Sequence, residues 1–208
     1  MIYDITPPIS PRLAVWPGDT LPTREVLCDI GRGDNITLST LRATVHLGAH
    51  ADAPSHYGAN APEIHDRSLD YYLGPCQVVR LTPPRGTRIT PATLAHPVPV
   101  EIRAERVLFA TGTFPDPENF TTDFAALSPE LVDYLAGRGV RLVGIDTPSV
   151  DLFDSKDLPA HLRFLHHDMA ILECLHLAEV PEGLYELIAL PLKLVGFDAS
   201  PVRAILRQ

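Results

Sequence analysis

The stretch that decides the fold and the chemistry of this chain is His46-Leu-Gly-Ala-His50-Ala-Asp52-Ala-Pro-Ser-His56, which holds three of the nine histidines. Gly48 and the proline that follows oppose a continuous helix, so the pattern predicts a strand end that turns through Gly48 into an extended segment. Alternate side chains of an extended segment share a face, which places His50 beside Asp52. The turn can fold His46 back toward them. Imidazole nitrogens and a carboxylate oxygen are ligands that Zn²⁺ accepts and, less selectively, Mn²⁺ or Fe²⁺.

A histidine-rich surface loop is the alternative interpretation of this stretch. Ala49, Ala51 and Ala53 are too small to fill a core and leave room beside the polar groups. This combination favours a binding site over a surface loop.

A second cluster of residues that could bind a metal lies in 159–173, which include His161, His166, His167 and Glu173. Glu173 directly follows the apolar run 169–172, which is typical of a buried strand. Buried carboxylates are rare unless they are paired or bind a metal. Glu173 is therefore a candidate ligand, and an edge-strand glutamate facing water is the alternative.

Composition excludes several classes of protein. The 208 residues carry a net charge of −9 and are 45% hydrophobic, which suits one folded domain, 1–208, with a sizeable core. An acidic surface disfavours nucleic acid and membranes as partners and leaves a small-molecule ligand. The amino terminus lacks the pattern of a signal peptide, no apolar run is long enough for a membrane span, and the three cysteines form no CxxC pair. We therefore expect a cytoplasmic protein.

Local patterns predict an α/β fold, a single mixed domain rich in sheet. Apolar runs bounded by glycine, proline or aspartate predict strands at 2–5, 23–28, 36–45, 76–81, 106–111, 141–146, 170–175, 184–190 and 202–206. Helices are predicted at 91–95, 128–137 and 159–167. The second is the best defined, because Ser128 can cap it and Pro129 occupies its first position.

The stretch from His46 to His56 resembles the HxGTHxDxPxH signature of the metal-dependent cyclase-like hydrolases. The chain as a whole resembles one branch of them, the bacterial kynurenine formamidases (arylformamidases). The similar segments are 3–9, 15–19, 46–56, 72–74, 144–151, 169–173, 185–191 and 198–203. Ala49 replaces the threonine of the broad signature, which removes a hydroxyl group but no metal ligand. The resemblance implies a domain of the swivelling β/β/α type.

The resemblance also implies two zinc ions per subunit, with Mn²⁺ or another divalent cation as the alternative. The ligands that it implies are His46, His50 and Asp52 for the first metal, and His161, Asp52 and Glu173 for the second. In this arrangement Asp52 and Glu173 bridge the two metals.

Three further residues receive roles from the resemblance. His56 matches the general acid/base, since an imidazole can accept and return a proton near neutral pH. Trp16, the only tryptophan, matches a residue that packs against the aromatic substrate, and a core anchor is the alternative. His167 is a candidate partner that orients a metal ligand.

The activity implied by the resemblance is hydrolysis of N-formyl-L-kynurenine to L-kynurenine and formate by a metal-activated water, a step of tryptophan degradation. The resemblance also implies a homodimer. One alternative is another cyclase-like amidohydrolase or lactonase, such as an isatin-type ring hydrolase. Another is a metal- or ligand-binding module without activity, which the intact His56 disfavours. A serine hydrolase is not supported, because the sequence has no GxSxG motif.

Overall fold

The computed structural model describes residues 1–95 and 99–208. The strands found in these residues are β1 (Ile2–Asp4), β2 (Thr23–Cys28), β3 (Leu38–Arg42), β4 (His50–Asp52), β5 (Leu73–Arg80), β6 (Arg88–Ile89), β7 (Arg106–Ala110), β8 (Ala126–Leu127), β9 (Leu142–Ile145), β10 (Ala170–Glu173), β11 (Gly183–Ile188), β12 (Ala199–Pro201) and β13 (Ile205–Arg207). The helices in the same residues are α1 (Pro91–Ala95), α2 (Pro129–Ala136) and α3 (Pro159–His166).

A mixed sheet forms the centre of the molecule. In the described part of the chain it has nine strands in the order β1-β13-β11-β5-β7-β9-β10-β4-β12. The four central strands, β5, β7, β9 and β10, run parallel, and the outer pairs are antiparallel. Strands β7, β9 and β10 are buried along their whole length, which explains why their sequences are continuous apolar runs.

Each face of the sheet is covered by its own apolar cluster. On one face, Val107, Phe109 and Ile171 pack against residues of the helices, among them Leu131 of α2 and Phe164 of α3. The alternate residues of the same strands pack on the opposite face, together with the amino-terminal segment and the last strands. The helices therefore lie on one side of the sheet, and α3 lies close to the end of β10.

Helix α2 shows why the local sequence predicted the helices well. Ser128 accepts a hydrogen bond from the Leu131 backbone N–H at 3.2 Å, and Pro129 needs no partner in the first turn. Leu131, Val132 and Leu135 form the buried face. Removing the Ser128 hydroxyl group would cost about 1 kcal/mol.

The predicted fold class, a single mixed α/β domain rich in sheet, is confirmed. The bounds of three predicted strands were wrong by three residues at one end: 36–45 contains only β3 (Leu38–Arg42), 202–206 begins only with β13 at Ile205, and 76–81 missed the start of β5 at Leu73. Strands β6, β8 and β12 have two or three residues each, too few for a periodic pattern. In residues 1–95 and 99–208, no helix has the length and apolar character to cross a membrane.

Candidate active site

The pairing of β4 with β10 creates the centre of the site. The strands are antiparallel, and His50 lies directly opposite Glu173. Directly opposite residues of an antiparallel pair share a face, so His50, Asp52 and Glu173 project to the same side. Ala51 and Leu172, which alternate with them, pack in the core. The predicted common face of His50 and Asp52 and the predicted burial of Glu173 both agree with this geometry.

Helix α3 supplies His161 from its first turn. The backbone N–H groups of Ala160 and His161 donate to the Asp151 carboxylate at 3.1 and 3.0 Å, which satisfies amide groups that have no partner within the helix. His161 Nδ1 also donates to Asp151 Oδ2, at 2.9 Å. This bond leaves Nε2 as the nitrogen of His161 that faces the carboxylates of β4 and β10.

These four buried residues, His50, Asp52, His161 and Glu173, are called the floor of the site; each is at most 3% exposed. Each floor carboxylate divides its two oxygens between two imidazoles. Asp52 Oδ1 lies 3.5 Å from His50 Nε2, and Asp52 Oδ2 lies 3.6 Å from His161 Nε2. Glu173 Oε2 lies 3.4 Å from His50 Nε2, and Glu173 Oε1 lies 3.7 Å from His161 Nε2. Each carboxylate therefore lies between the two imidazoles, with one oxygen near His50 Nε2 and the other near His161 Nε2.

The turn before β4 fixes which nitrogen of His50 faces the floor. Gly48 has φ +56°, a conformation that residues with a Cβ rarely adopt, and an added Cβ would lie 3.3 Å from Pro7. The carbonyl oxygen of Gly48 accepts a hydrogen bond from His50 Nδ1 at 2.7 Å. Since Nδ1 carries the proton, the His50 Nε2 lone pair points at Asp52 and Glu173.

Three more polar residues, His46, His56 and Asp198, form what we call the rim. Their side chains are 19%, 35% and 46% exposed, so they contact solvent. Asp198 Oδ2 lies 3.0 Å from His46 Nε2 and 3.2 Å from His56 Nδ1. His46 Nδ1 lies 3.1 Å from Asp52 Oδ1, so His46 joins the rim to the floor.

The floor has the residues and spacing to hold a divalent metal ion. His50 Nε2 and both oxygens of Asp52 are buried and have no hydrogen-bond partner among the described residues. Two ligand atoms about 2.1 Å from one tetrahedral zinc ion are about 3.4 Å apart, which is close to the separations between the imidazoles and carboxylates of the floor. Among the described residues, three groups have ligand atoms near enough to share one ion, and two of them lie at this site: His50 with Asp52 and Glu173, and His46 with Asp52 and His56. Neither of these two groups includes His161, and the third, Glu63 with His65 and Asp66, lies elsewhere. The second group contains His56, which the resemblance assigned to acid/base chemistry.

The charges of the site also favour a cation. Among the described residues, no lysine or arginine pairs with Asp52 or Glu173. Burial raises the pKa of Asp52, but the facing imidazoles of His161 and His46 outweigh it and hold the pKa well below its usual value. Burial lowers the pKa of His46, but Asp52 and Asp198 outweigh it and raise the pKa to about 9. Burial lowers the pKa of His161 as well, but Asp151 and Asp52 raise it to about 10. The floor thus attracts positive charge strongly.

A cavity of about 460 Å³ opens above the floor and contacts His50, His161 and Glu173. Trp16 lines this cavity and is 36% exposed, so it is not a buried core anchor. Its ring packs against Phe153 with ring centroids 4.9 Å apart and against Phe120 at 5.6 Å. The cavity therefore combines a polar floor with an aromatic wall.

The structure shows two residues that the sequence analysis did not assign. Asp151 orients His161, and Asp198 contacts His46 and His56. Both lie in segments that carry the resemblance, at 144–151 and 198–203, which was the available signal. The suggested role of His167 in the site was wrong. His167 lies six residues beyond His161, on another side of α3, and its Nε2 lies 2.7 Å from Asp133 Oδ1 of α2.

The chain belongs to the family described as putative cyclase, whose model matches residues 3–152. A solved structure described as a potential metal-dependent hydrolase with cyclase activity is 31% identical, with a TM-score of 0.85 and coverage of 99% of this chain and 96% of that chain. The structure of a predicted metal-dependent hydrolase from Bacillus stearothermophilus is 32% identical, with a TM-score of 0.82 and coverage of 99% and 97%. Isatin hydrolase A from Labrenzia aggregata is 22% identical, with a TM-score of 0.83 and coverage of 99% and 93%, which shows a common fold.

Proposed function

We propose that this protein is a metal-dependent hydrolase whose floor binds two divalent cations, zinc in the first instance. One observation carries the proposal: Asp52 and Glu173 each have one oxygen near His50 Nε2 and the other near His161 Nε2. In this proposal Asp52 and Glu173 would hold the ions together with His50 and His161, and His46, which lies 3.1 Å from Asp52 Oδ1, would be a further ligand. The description of the two similar structures as metal-dependent hydrolases supports it.

The chemistry divides between the metals and the side chains of the rim. Bound divalent cations would supply acidified water at neutral pH and polarise the carbonyl group of the substrate. His56 moves the protons: it accepts one from the attacking water and returns it to the departing amine nitrogen. Asp198 holds the ring by accepting from His56 Nδ1 at 3.2 Å, which leaves Nε2 as the atom that exchanges the proton. Asp151 holds His161 in the same way.

We propose N-formyl-L-kynurenine as the substrate, with L-kynurenine and formate as products. Hydrolysis adds water across the C–N bond of the formyl anilide, so formate leaves and the aryl amine is released. The cavity supports this proposal because its aromatic wall, with Trp16 and Phe120, can pack against the aryl ring. The volume of about 460 Å³ is in the range of small-molecule sites.

Hydrolysis of a ring amide or lactone is the second candidate. An isatin-like ring could occupy the same aromatic cavity, and isatin hydrolase A from Labrenzia aggregata shares the fold. Steady-state turnover of N-formyl-L-kynurenine and isatin by the same metal-loaded enzyme separates the two. We expect formylkynurenine to have the higher kcat/KM. The reverse ratio would replace our first candidate by the second, and turnover of neither would refute both.

We also propose that the protein is a homodimer, as the resemblance implies. Strands β2 and β3 pair only with each other in the described chain and form an exposed arm. Leu27, Ile30 and Leu41 of this arm are 53%, 62% and 63% exposed, and a second copy would bury them. Light scattering should give twice the monomer mass for the wild type and the monomer mass for the double variant Leu27→Glu, Leu41→Glu. A monomeric wild type at micromolar concentration would contradict the proposal.

A further inference from the structure

A tight turn at the mouth of the cavity joins the aromatic wall to a carboxylate. The backbone N–H of Asp19 donates to the carbonyl oxygen of Trp16 at 2.9 Å, which closes the turn Trp16-Pro17-Gly18-Asp19. Gly18 has φ +95°, and proline precedes it, as a type II turn requires. The turn therefore holds Trp16 and Asp19 side by side, and both residues line the cavity.

Asp19 is free to bind a ligand. Its Oδ1 accepts from the Thr20 backbone N–H at 2.7 Å, and its Oδ2 accepts no hydrogen bond from any described residue. It lies outside both groups of residues whose atoms are near enough to share a metal ion with the floor. Among the described residues that line the cavity there is no lysine or arginine, so an anionic group on a ligand would find no ammonium or guanidinium group there.

We propose that Asp19 determines specificity by binding an ammonium group on the side chain of the aryl substrate. This inference rests on the proposed function, because it places the aryl ring against Trp16. A carboxylate next to an indole ring suits an alkylammonium, which gains an ion pair with Asp19 and a cation–π contact with Trp16. For an amino-acid substrate, Asp19 pairs with the α-ammonium group and the α-carboxylate remains in solvent.

The test uses the metal-loaded enzyme and three ortho-acylanilines that differ only at the end of the acyl chain: an ammonium, a methyl or a carboxylate group. Trp16 is the only tryptophan, so quenching of its fluorescence reports binding without turnover. At low ionic strength we expect the wild type to bind the ammonium compound about fivefold more tightly than the methyl compound, as for a partly exposed ion pair. The carboxylate compound should bind most weakly.

Asp19→Asn should reduce the preference for ammonium over methyl to less than about twofold. Glu179→Gln is the matched control: it removes the same charge from an exposed position outside both the cavity and the β2–β3 arm and should keep the wild-type order. A wild type without ammonium preference, or an Asp19→Asn variant that keeps it, would overturn the inference. If the order holds but none of the corresponding N-formyl compounds is hydrolysed, the proposed function fails and the assignment of Asp19 stands.

Discussion

The floor and the rim of the site use the same residue types in opposite environments. The floor residues are at most 3% exposed and are held by β4, β10 and the first turn of α3. The rim residues are 19% to 46% exposed and lie outside the strands and α-helices. Both buried oxygens of Asp52 have no hydrogen-bond partner among the described residues, which favours a cation beside them, whereas the rim contacts solvent and can exchange protons with it. This difference is the reason for our proposal that the floor, together with His46, holds metal and that His56 moves protons.

The largest effect should come from Asp52, the floor carboxylate that lies near three imidazoles, those of His46, His50 and His161. Asp52→Ala should abolish activity, since losing two ligand contacts removes several kcal/mol of transition-state stabilisation, or about 10³-fold or more in rate. His46→Ala, which removes a contact on one side only, should retain more metal and more activity. Elemental analysis and steady-state kinetics measure both, with circular dichroism to verify folding. Equal residual metal and equal rates would argue against a bridging Asp52.

Substitution of His56 in the rim should lower activity without removing metal. His56→Ala should lower kcat by about 10²–10⁴-fold, because proton transfer to the leaving amine is lost. Its metal content should remain close to that of the wild type. His166→Ala, at an exposed position near the end of α3, is the control and should change neither quantity. Loss of metal in His56→Ala would move His56 from the rim to the set of ligands, as its place in the group with His46 and Asp52 allows.

The contact between Asp151 and His161 should contribute to the affinity of the site for metal. Asp151→Asn should weaken metal binding by about 10- to 100-fold, because His161 loses the carboxylate that orients its ring. Competition with a chromogenic chelator measures this change. Asp133→Asn is a matched control, since Asp133, on α2, makes a similar contact with His167, which lies outside the site. An affinity unchanged in Asp151→Asn would show that the helix alone orients His161.

The smallest effect should come from the aromatic wall. Trp16→Ala should raise KM for N-formyl-L-kynurenine about tenfold and change kcat little, because the ring binds substrate and transition state alike. Trp16→Phe should recover most of the loss. A fall in kcat at constant KM would place Trp16 in the chemistry of the site rather than in substrate binding.

The sequence predicted those parts of the site that depend on local spacing. His50 and Asp52 alternate on an extended segment, and Glu173 follows an apolar run, so their common face and burial could be predicted from period and composition. The contacts of Asp198 could not be predicted, because its partner His46 lies 152 residues away in the chain. Such contacts depend on the order of strands in the sheet, which places β12 beside β4.

In the fold, too, features with a local sequence pattern were predicted and features that depend on distant contacts were not. Long apolar strands and the capped helix α2 were predicted within a few residues, because their patterns are local. The exposure of the β2–β3 arm was not predicted, because its leucines and isoleucines look like those of core strands. His167 shows the limit for single residues: it lies six residues beyond His161, and its side chain contacts Asp133 of α2 instead of the site.

The central claim is that the four floor residues hold a pair of divalent metal ions, and elemental analysis of the purified protein tests it most directly. We predict close to two equivalents per chain in the wild type and one or fewer in Glu173→Gln, which keeps the shape of the side chain but loses its charge. Fewer than one equivalent in the wild type, or two retained in Glu173→Gln, would contradict the claim.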